Sequence, residues 1–180
     1  MRIAAKQIMA LVAKYPKSAK IKEMTKLLPC VFGYLGGVFG PGRVGREARV
    51  TRRSRTSTRG RTKQVDFVIG RKRHNTRVWS ADSAIELAIR RKGHKAGIGA
   101  NCNVDEINKL VEIAAKHRIL VLLNLLADQD FDTLFKSTKD GYAKLSFTKG
   151  AIRKTKAKIW IVVADFEESK KFSIPLRKRK

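Results

Sequence analysis

Cysteine and histidine, the residues that most often bind zinc, are scarce in this chain. Its two cysteines, Cys30 and Cys102, stand alone without a CxxC pair, and its three histidines are dispersed. A structural zinc site is therefore not expected, and the cysteines are predicted to be small apolar residues in a reducing intracellular compartment, the cytoplasm or a nucleus. Long apolar runs are also missing. The longest, residues 27–42, contains Pro29 and is too short to span a bilayer, so no membrane anchor is predicted.

Acidic residues are the third shortage. The chain has 15 Asp and Glu against 41 Lys and Arg, which gives its 180 residues a formal net charge of +26. Such an excess attracts polyanions, so the expected partner is a phosphate backbone, with DNA favoured and RNA left open. The basic residues concentrate in segment 43–63, where Glu47 is the only acid, and in a predicted loop at 71–77. These basic residues are expected to contact the phosphates of a nucleic acid with little preference for its base sequence. The predicted contacts are Arg43, Arg46, Arg49, Arg52, Arg53, Arg55, Arg59, Arg61, Lys63, Arg71, Lys72, Arg73 and Arg77.

Apolar patterns along the chain predict an α/β protein with a mixed central sheet flanked by helices. Runs of β-branched and aromatic residues predict strands, of which the third and fourth are buried on both faces. These strands are 65–69, 83–90, 119–123 and 158–164, with 78–79 and 142–147 as further extended pieces. Helical periodicity and capping residues predict one or two helices within 2–28, broken near Tyr15 and Pro16, and further helices at 103–117 and 130–139. In helix 103–117, His117 is expected at the C-terminus.

Composition divides the chain into four segments. Residues 1–42 are predicted to be a helical and glycine-rich segment, in which the glycines of 27–42 favour a close-packed turn or loop. Residues 43–63 are predicted to be an arginine-rich arm that is mobile without its ligand. Residues 64–168 form the predicted α/β core, and residues 169–180 a basic tail.

Two acids stand on the predicted strands of this core. Asp66 lies between two apolar residues of the first strand, and Glu86 lies in the next strand, on the face opposite Ile85 and Leu87. An acid on one short strand and an acid on the next, followed by a helix and a buried strand, resemble the PD-(D/E)xK nuclease-like superfamily. That superfamily has the restriction-endonuclease fold. The resemblance covers about residues 61–164, and it rests on the architecture and on two acids.

The resemblance implies a function and a cofactor. By carry-over, Asp66 and Glu86 would bind Mg²⁺, which activates water and neutralises charge on a scissile phosphate. The family's lysine, two residues after the second acid, is replaced here by Ala88. The expected substitutes are Arg90, on the same strand face, and Lys92 or Lys95 from the following loop, which would steady the phosphate. For the supporting acid that the family takes from its leading helix, the candidates are Glu23 and Glu47.

Three functions remain open from the sequence. The first is a Mg²⁺-dependent endonuclease that hydrolyses phosphodiester bonds in DNA, for which a homodimer would suit double-strand cutting. The second is a non-catalytic DNA-binding protein on the same fold. The third is a ribonucleoprotein or ribosome-associated component whose basic extensions enter folded RNA. The nuclease hypothesis alone requires Asp66 and Glu86 on adjacent strands, close enough to share one cation.

Overall fold

A computed structural model of the chain describes residues 24–51, 62–90, 103–124, 126, 129–144, 158–165 and 168–175. Within these residues no helix combines the length and apolar composition needed to cross a bilayer. A short 3-10 turn, Pro41–Arg43, precedes the first strand. The helices are α1 (Met24–Phe39), α2 (Val104–Glu112) and α3 (Phe131–Ala143). The strands are β1 (Val44–Thr51), β2 (Thr62–Lys72), β3 (Val78–Arg90), β4 (Ala115–Asn124), β5 (Lys158–Ala164) and β6 (Ser169–Pro175).

The strands form one six-stranded mixed sheet in chain order. β3, β4 and β5 run parallel at its centre, whereas the β1–β2, β2–β3 and β5–β6 pairs are antiparallel. β4 therefore has a parallel neighbour on each side, and its last seven residues are all buried. The predicted α/β class with a mixed sheet flanked by helices is confirmed, as is the burial of strand 119–123.

Helices cover both faces of the sheet. Alternate residues of β4 contribute to two separate apolar clusters, so the clusters lie on opposite faces. One cluster joins α1, through Val31 and Leu35, to residues of β2, β3 and β4. The other joins α2 and α3, through Ile107 and Leu134, to the opposite face of the same strands and of β5. Ile85, Leu87 and Ile89 all belong to the α1 side, so they share one face of the sheet, as their alternation predicted.

The first three strands curl around one another. Arg49 and Val50 of β1 pair with β2 on one edge and with Val78 and Trp79 of β3 on the other. The hairpin between β2 and β3 bends at an irregularity in the strand register at Gly70, where a Cβ atom would lie 2.1 Å from the carbonyl oxygen of Ser80. Only glycine fits this close backbone approach. The curl places Arg49 beside the end of the exposed basic turn 73–77.

Two segments predicted to be irregular have regular structure. Residues 27–39, expected to be a turn or loop, belong to helix α1, because Val31 and Leu35 are buried one turn apart against the sheet. Burial of such a face outweighs the poor helix propensity of glycine. Residues 44–51, expected to be a mobile arm, form β1, in which Val44, Ala48 and Val50 are buried between arginines. Residues 52–61 of that segment lie outside the described residues.

Several predicted boundaries were also wrong. The predicted helix 103–117 ends at Glu112, because Ile113 is extended and the N–H of Ala114 donates to the carbonyl of Thr51. His117 therefore lies in β4 and caps no helix. Tyr142, predicted to be extended, is buried in α3. The expected strands 78–79 and 83–90 are one strand, β3, and residues 169–175 of the predicted tail form β6.

Candidate functional site

The two predicted acids lie where β2 and β3 separate. The two strands pair from Lys72 and Trp79 up to Phe67 and Ile85. Beyond that pair β2 continues beside β1, while β3 continues beside β4. Asp66 and Glu86 are the next residue on each strand. Where two adjacent strands separate, at a fork in the sheet, backbone groups of one strand no longer have ladder partners on the other.

Asp66 uses its carboxylate to satisfy one of these backbone groups. The N–H of Leu87, on the neighbouring strand, donates to Oδ2 of Asp66 at 2.8 Å. The side chain is partly buried, and this burial raises the pKa of Asp66, against the lowering effects of the Leu87 N–H and of Lys109. The hydrogen bond from Leu87 on β3 thus holds the carboxylate of Asp66 on β2 in one position.

Glu86 is the more deeply buried of the two acids, with only 1% of its surface exposed. Its Oε2 accepts a hydrogen bond from Nζ of Lys109 at 2.9 Å, whereas its buried Oε1 has no hydrogen-bond donor among the described residues. Burial, followed by the negative charge of Asp66, raises the pKa of Glu86 from 4.5 to about 8, although Lys109 acts in the opposite direction. The carboxyl groups of Asp66 and Glu86 are therefore close enough for the charge of Asp66 to raise the pKa of Glu86.

Lys109 is the cation of this centre, and the sequence did not reveal it. It lies on α2 with 29% of its side chain exposed, so it joins the buried Glu86 to the solvent-facing side of the helix. Its neighbours Ile107 and Leu110 are buried in the apolar cluster on this face, which holds the helix against β3. The substitutes predicted for the missing lysine at position 88 lie on the strand and in its loop. The cation that contacts Glu86 comes instead from a helix packed on the same face.

Glu47 is a third acid in the neighbourhood. It lies opposite Asp66 in the β1–β2 ladder, between two residue pairs of that ladder, and its φ of 45° is rare for a residue with a side chain. Its negative charge contributes to raising the pKa of Asp66, while its carboxylate lies 3.9 Å from Nε of Arg46 on the surface. Of the two candidates for the supporting acid, Glu47 is thus near the centre, and Glu23 lies outside the described residues.

The other predicted site residues are spread over the fold. Arg90 lies at the far end of β3, with NH1 3.5 Å from Oδ1 of Asn124. Lys92 and Lys95 lie outside the described residues. Arg43 makes contacts within the fold: its Nε donates to the carbonyl of Gly70, and its NH2 pairs with Asp82 at 3.2 Å.

The predicted nucleic-acid contacts divide in a similar way. Lys63 forms an ion pair of 3.3 Å with Glu112, at the end of α2. The other residues of this predicted set that the structure describes are exposed on β1 and on the β2–β3 hairpin. These are Arg46, Arg49, Arg71, Lys72, Arg73 and Arg77. The arginines at 52, 53, 55, 59 and 61 lie outside the described residues.

The acids fit a hard divalent cation with few protein ligands. Mg²⁺ is often held by only one or two carboxylates, and its remaining ligands are waters and substrate phosphate oxygens. Asp66 and Glu86 supply two carboxylates, and Oε1 of Glu86 is a buried oxygen with a free lone pair. Within the described ranges, no cluster of three or more His, Cys, Asp or Glu side chains is arranged to hold a metal. A cation bound here would therefore depend on water and substrate for most of its ligands.

Comparison with protein-family models, curated proteins and solved structures finds no match to this chain.

Proposed function

We propose that this protein is a metal-dependent nuclease, with DNA as the favoured substrate, whose centre consists of Asp66, Glu86 and Lys109. The observation that carries the proposal is the pairing of two acids at the fork between β2 and β3, with Glu86 almost fully buried against Lys109. The mixed sheet with helices on both faces is the architecture expected of a restriction-endonuclease-like core. This likeness of architecture supports the proposal but does not carry it.

The contribution of Asp66, Glu86 and Lys109 to the stability of the fold does not explain why these charged groups are buried together. Removing a carboxylate and an ammonium group from water costs several kcal/mol per ion, and replacing a buried ion pair by apolar residues is often neutral or stabilising. Here the cost is larger, because a second acid lies close enough to raise the pKa of Glu86. Strongly shifted carboxyl groups that repel one another are typical of catalytic and cation-binding sites.

Each residue of the centre has a role in the proposed reaction. Asp66 and Glu86 would hold the cation, which when bound supplies an activated water and neutralises charge on the phosphate. The N–H of Leu87 keeps the Asp66 carboxylate in one orientation, so the two acids are preorganised for the cation. Lys109 supplies the positive charge that Ala88 cannot. With Asp66 and Glu86 engaged as ligands, the Lys109 ammonium group would be available to contact a phosphate oxygen.

The surface around the centre suits a polyanion. The net charge is +26, and the exposed arginines of β1 and of the hairpin turn lie on the same curled part of the sheet as Asp66. Arginine binds phosphate through a planar set of donors. These residues would hold the backbone, and the affinity should fall steeply with salt concentration.

The proposal is tested by incubating the protein with supercoiled plasmid and with labelled RNA in Mg²⁺, Mn²⁺ or EDTA. The expected result is cutting of the plasmid that requires the divalent cation and is absent in EDTA. The matched control is a preparation of the Asp66→Ala plus Glu86→Ala variant, which should bind the plasmid and leave it intact. Tight binding without cutting in either metal would overturn the nuclease proposal, and cutting of RNA alone would reassign the substrate.

Lys109 provides a second, finer prediction. Replacing Lys109 by Met should lower the rate of cleavage by roughly 10- to 100-fold, because one positive charge near the phosphate is lost. Glu86 can then remain protonated at neutral pH, so the fold should persist. Lys109→Arg keeps the charge and should recover part of the rate. The control is Lys116→Met, which removes a lysine paired with the exposed Asp82 outside the centre. Equal rates for the Lys109 and Lys116 variants would contradict the assigned role.

A non-catalytic nucleic-acid-binding protein is the second candidate, and one observation favours it. Lys109 already occupies Oε2 of Glu86, and the described residues hold no cluster of three or more potential metal ligands. In that case the acids would serve only to anchor α2 to the fork. The plasmid assay on the wild-type protein separates the two candidates, because the second one predicts binding without cutting in either metal.

A further inference from the structure

A tryptophan flanked by two lysines stands on the side of the sheet away from the acidic centre. Trp160 lies on β5, next to the last strand, and its ring packs against the apolar cluster of α1 while remaining partly exposed. Nζ of Lys158 lies 4.1 Å from the centroid of the ring, and Nζ of Lys171 on β6 lies 5.3 Å from it. Lys171 pairs with Val162, so all three side chains emerge on one face.

These two lysines have no acidic partner in the part of the chain that the structure describes. None of the ion pairs formed there includes Lys158 or Lys171. The neighbouring Lys170 differs, because it lies on the other face of β6 and pairs with Asp132 and Glu168. Two ammonium groups that share one aromatic ring repel each other, and an anion bound between them would relieve that repulsion.

Lysines on a terminal strand have a simpler role, which is to prevent the strand from pairing with another chain. That role needs charge at the strand edge, and Lys170 would fulfil it. Protection of the edge strand does not require Lys158 on β5, nor a tryptophan between Lys158 and Lys171. A partly exposed aromatic ring with two lysines beside it instead matches the sites that bind single-stranded nucleic acids, where a base stacks on the ring and cations contact the phosphates.

We propose that Trp160, Lys158 and Lys171 bind an unpaired segment of nucleic acid. A base stacks on the Trp160 ring in place of the ammonium groups that lie over it, and the two displaced lysines contact the flanking phosphates. This site rests on the proposed nucleic-acid binding but is separate from the acidic centre. Glu86 contacts α2 on one face of the sheet, whereas Trp160 packs on the cluster that α1 covers on the other. The unpaired segment is expected because the bases of a duplex already stack on each other and offer no free face.

The experiment uses the fact that the chain has two tryptophans. In a Trp79→Phe variant, Trp160 is the only tryptophan and its fluorescence reports the site. A single-stranded oligothymidine, a blunt duplex of equal length and inorganic polyphosphate are titrated in EDTA, which prevents cleavage. The expected result is strong quenching by the single strand, and weak quenching by the duplex and by polyphosphate. If the Trp79 variant does not fold, the difference in fluorescence between the wild-type protein and Trp160→Phe gives the same information.

Affinity measurements on substituted proteins complete the test. Trp160→Ala should weaken binding of the single strand roughly 5- to 100-fold, the effect of losing one stacked base, and Trp160→Phe much less. Lys171→Gln should lower the slope of log affinity against log salt by about 0.7. Lys170→Gln is the matched control, because it removes one charge from the next position of the same strand on the opposite face.

The outcomes test the inference and the proposed function separately. Binding of the single strand without quenching, and unchanged by Trp160→Ala, overturns this inference and leaves the proposed function standing. Equal quenching by polyphosphate, with no effect of Trp160→Ala, also overturns it, because the site would then bind anions and not bases. Failure of the wild-type protein to bind any nucleic acid overturns the proposed function together with the inference.

Discussion

Replacing either acid of the Asp66–Glu86 pair by its amide is expected to lower the rate of metal-dependent cleavage by about a thousandfold or more. Each amide keeps the size of the acid and loses the negative charge that holds the cation. In Asp66→Asn the side-chain oxygen can still accept from the N–H of Leu87, and in Glu86→Gln it can still accept from Lys109. The fold should therefore persist while the reaction fails. The measurement is the rate of plasmid relaxation in Mg²⁺, with duplex binding followed in parallel by fluorescence anisotropy in EDTA.

The matched control for this result is Asp82→Asn. Asp82 lies on β3 like Glu86, but it is exposed and pairs with Arg43 and Lys116 at the surface. Removing it changes the net charge by the same amount and leaves the fork untouched. Its cleavage rate should stay within a few fold of the wild-type rate. If the Asp82 variant loses as much activity as the Glu86 variant, the loss reflects charge or stability in general and the assignment of the centre fails.

The strands that carry the two acids were predictable because their signals are local. The alternation around Glu86 indicated which neighbours face the opposite side, and the α1-side cluster contains Ile85, Leu87 and Ile89 as expected. The bounds of 158–164 match β5 because a short apolar run between polar segments marks both of its ends. The features that the sequence did not predict depend on contacts between residues distant in sequence.

Strand β1 and helix α1 show why such partners matter. In β1 the apolar residues Val44, Ala48 and Val50 are separated by arginine, glutamate and glycine, so composition indicates a solvated arm. The strand forms because β2 and the start of β3 pair with it. Likewise, the glycines of α1 disfavour a helix locally, and burial of Val31 and Leu35 against the sheet overrides them. In both cases tertiary packing decided against the local preference.

Lys109 was hidden for a related reason. Its contact with Glu86 joins residues 23 positions apart, and it requires both that α2 packs on β3 and that the lysine lies at the margin of the buried stripe. Sequence identified the helix and the stripe but not the strand against which they pack. The absence of a lysine at position 88 was a usable signal. Under the nuclease hypothesis it indicated that another cation is needed, and packing decides that the cation beside Glu86 is Lys109.

The pH dependence of stability is the second large effect. In the unfolded chain Glu86 titrates near its ordinary pKa of 4.5, whereas in the fold its pKa is raised to about 8. Between these two pH values the folded protein holds a proton that the unfolded chain has released. The free energy of unfolding should therefore fall as the pH rises from about 4.5 to about 8. Since one pKa unit corresponds to about 1.4 kcal/mol, the cost above pH 8 is several kcal/mol.

Glu86→Gln removes this cost, because the amide does not titrate. The variant should match the wild-type protein near pH 5 and exceed its stability by several kcal/mol at pH 8.5, measured by urea denaturation in EDTA. A difference in stability that does not change between pH 5 and pH 8.5 would mean that Glu86 is ionised in the fold and fully balanced by Lys109. Adding Mg²⁺ at pH 8.5 should stabilise the wild-type protein and not the variant, because only the wild-type protein has both carboxylates for the cation. A residue whose replacement stabilises the fold and abolishes the reaction is retained for its chemistry and not for folding.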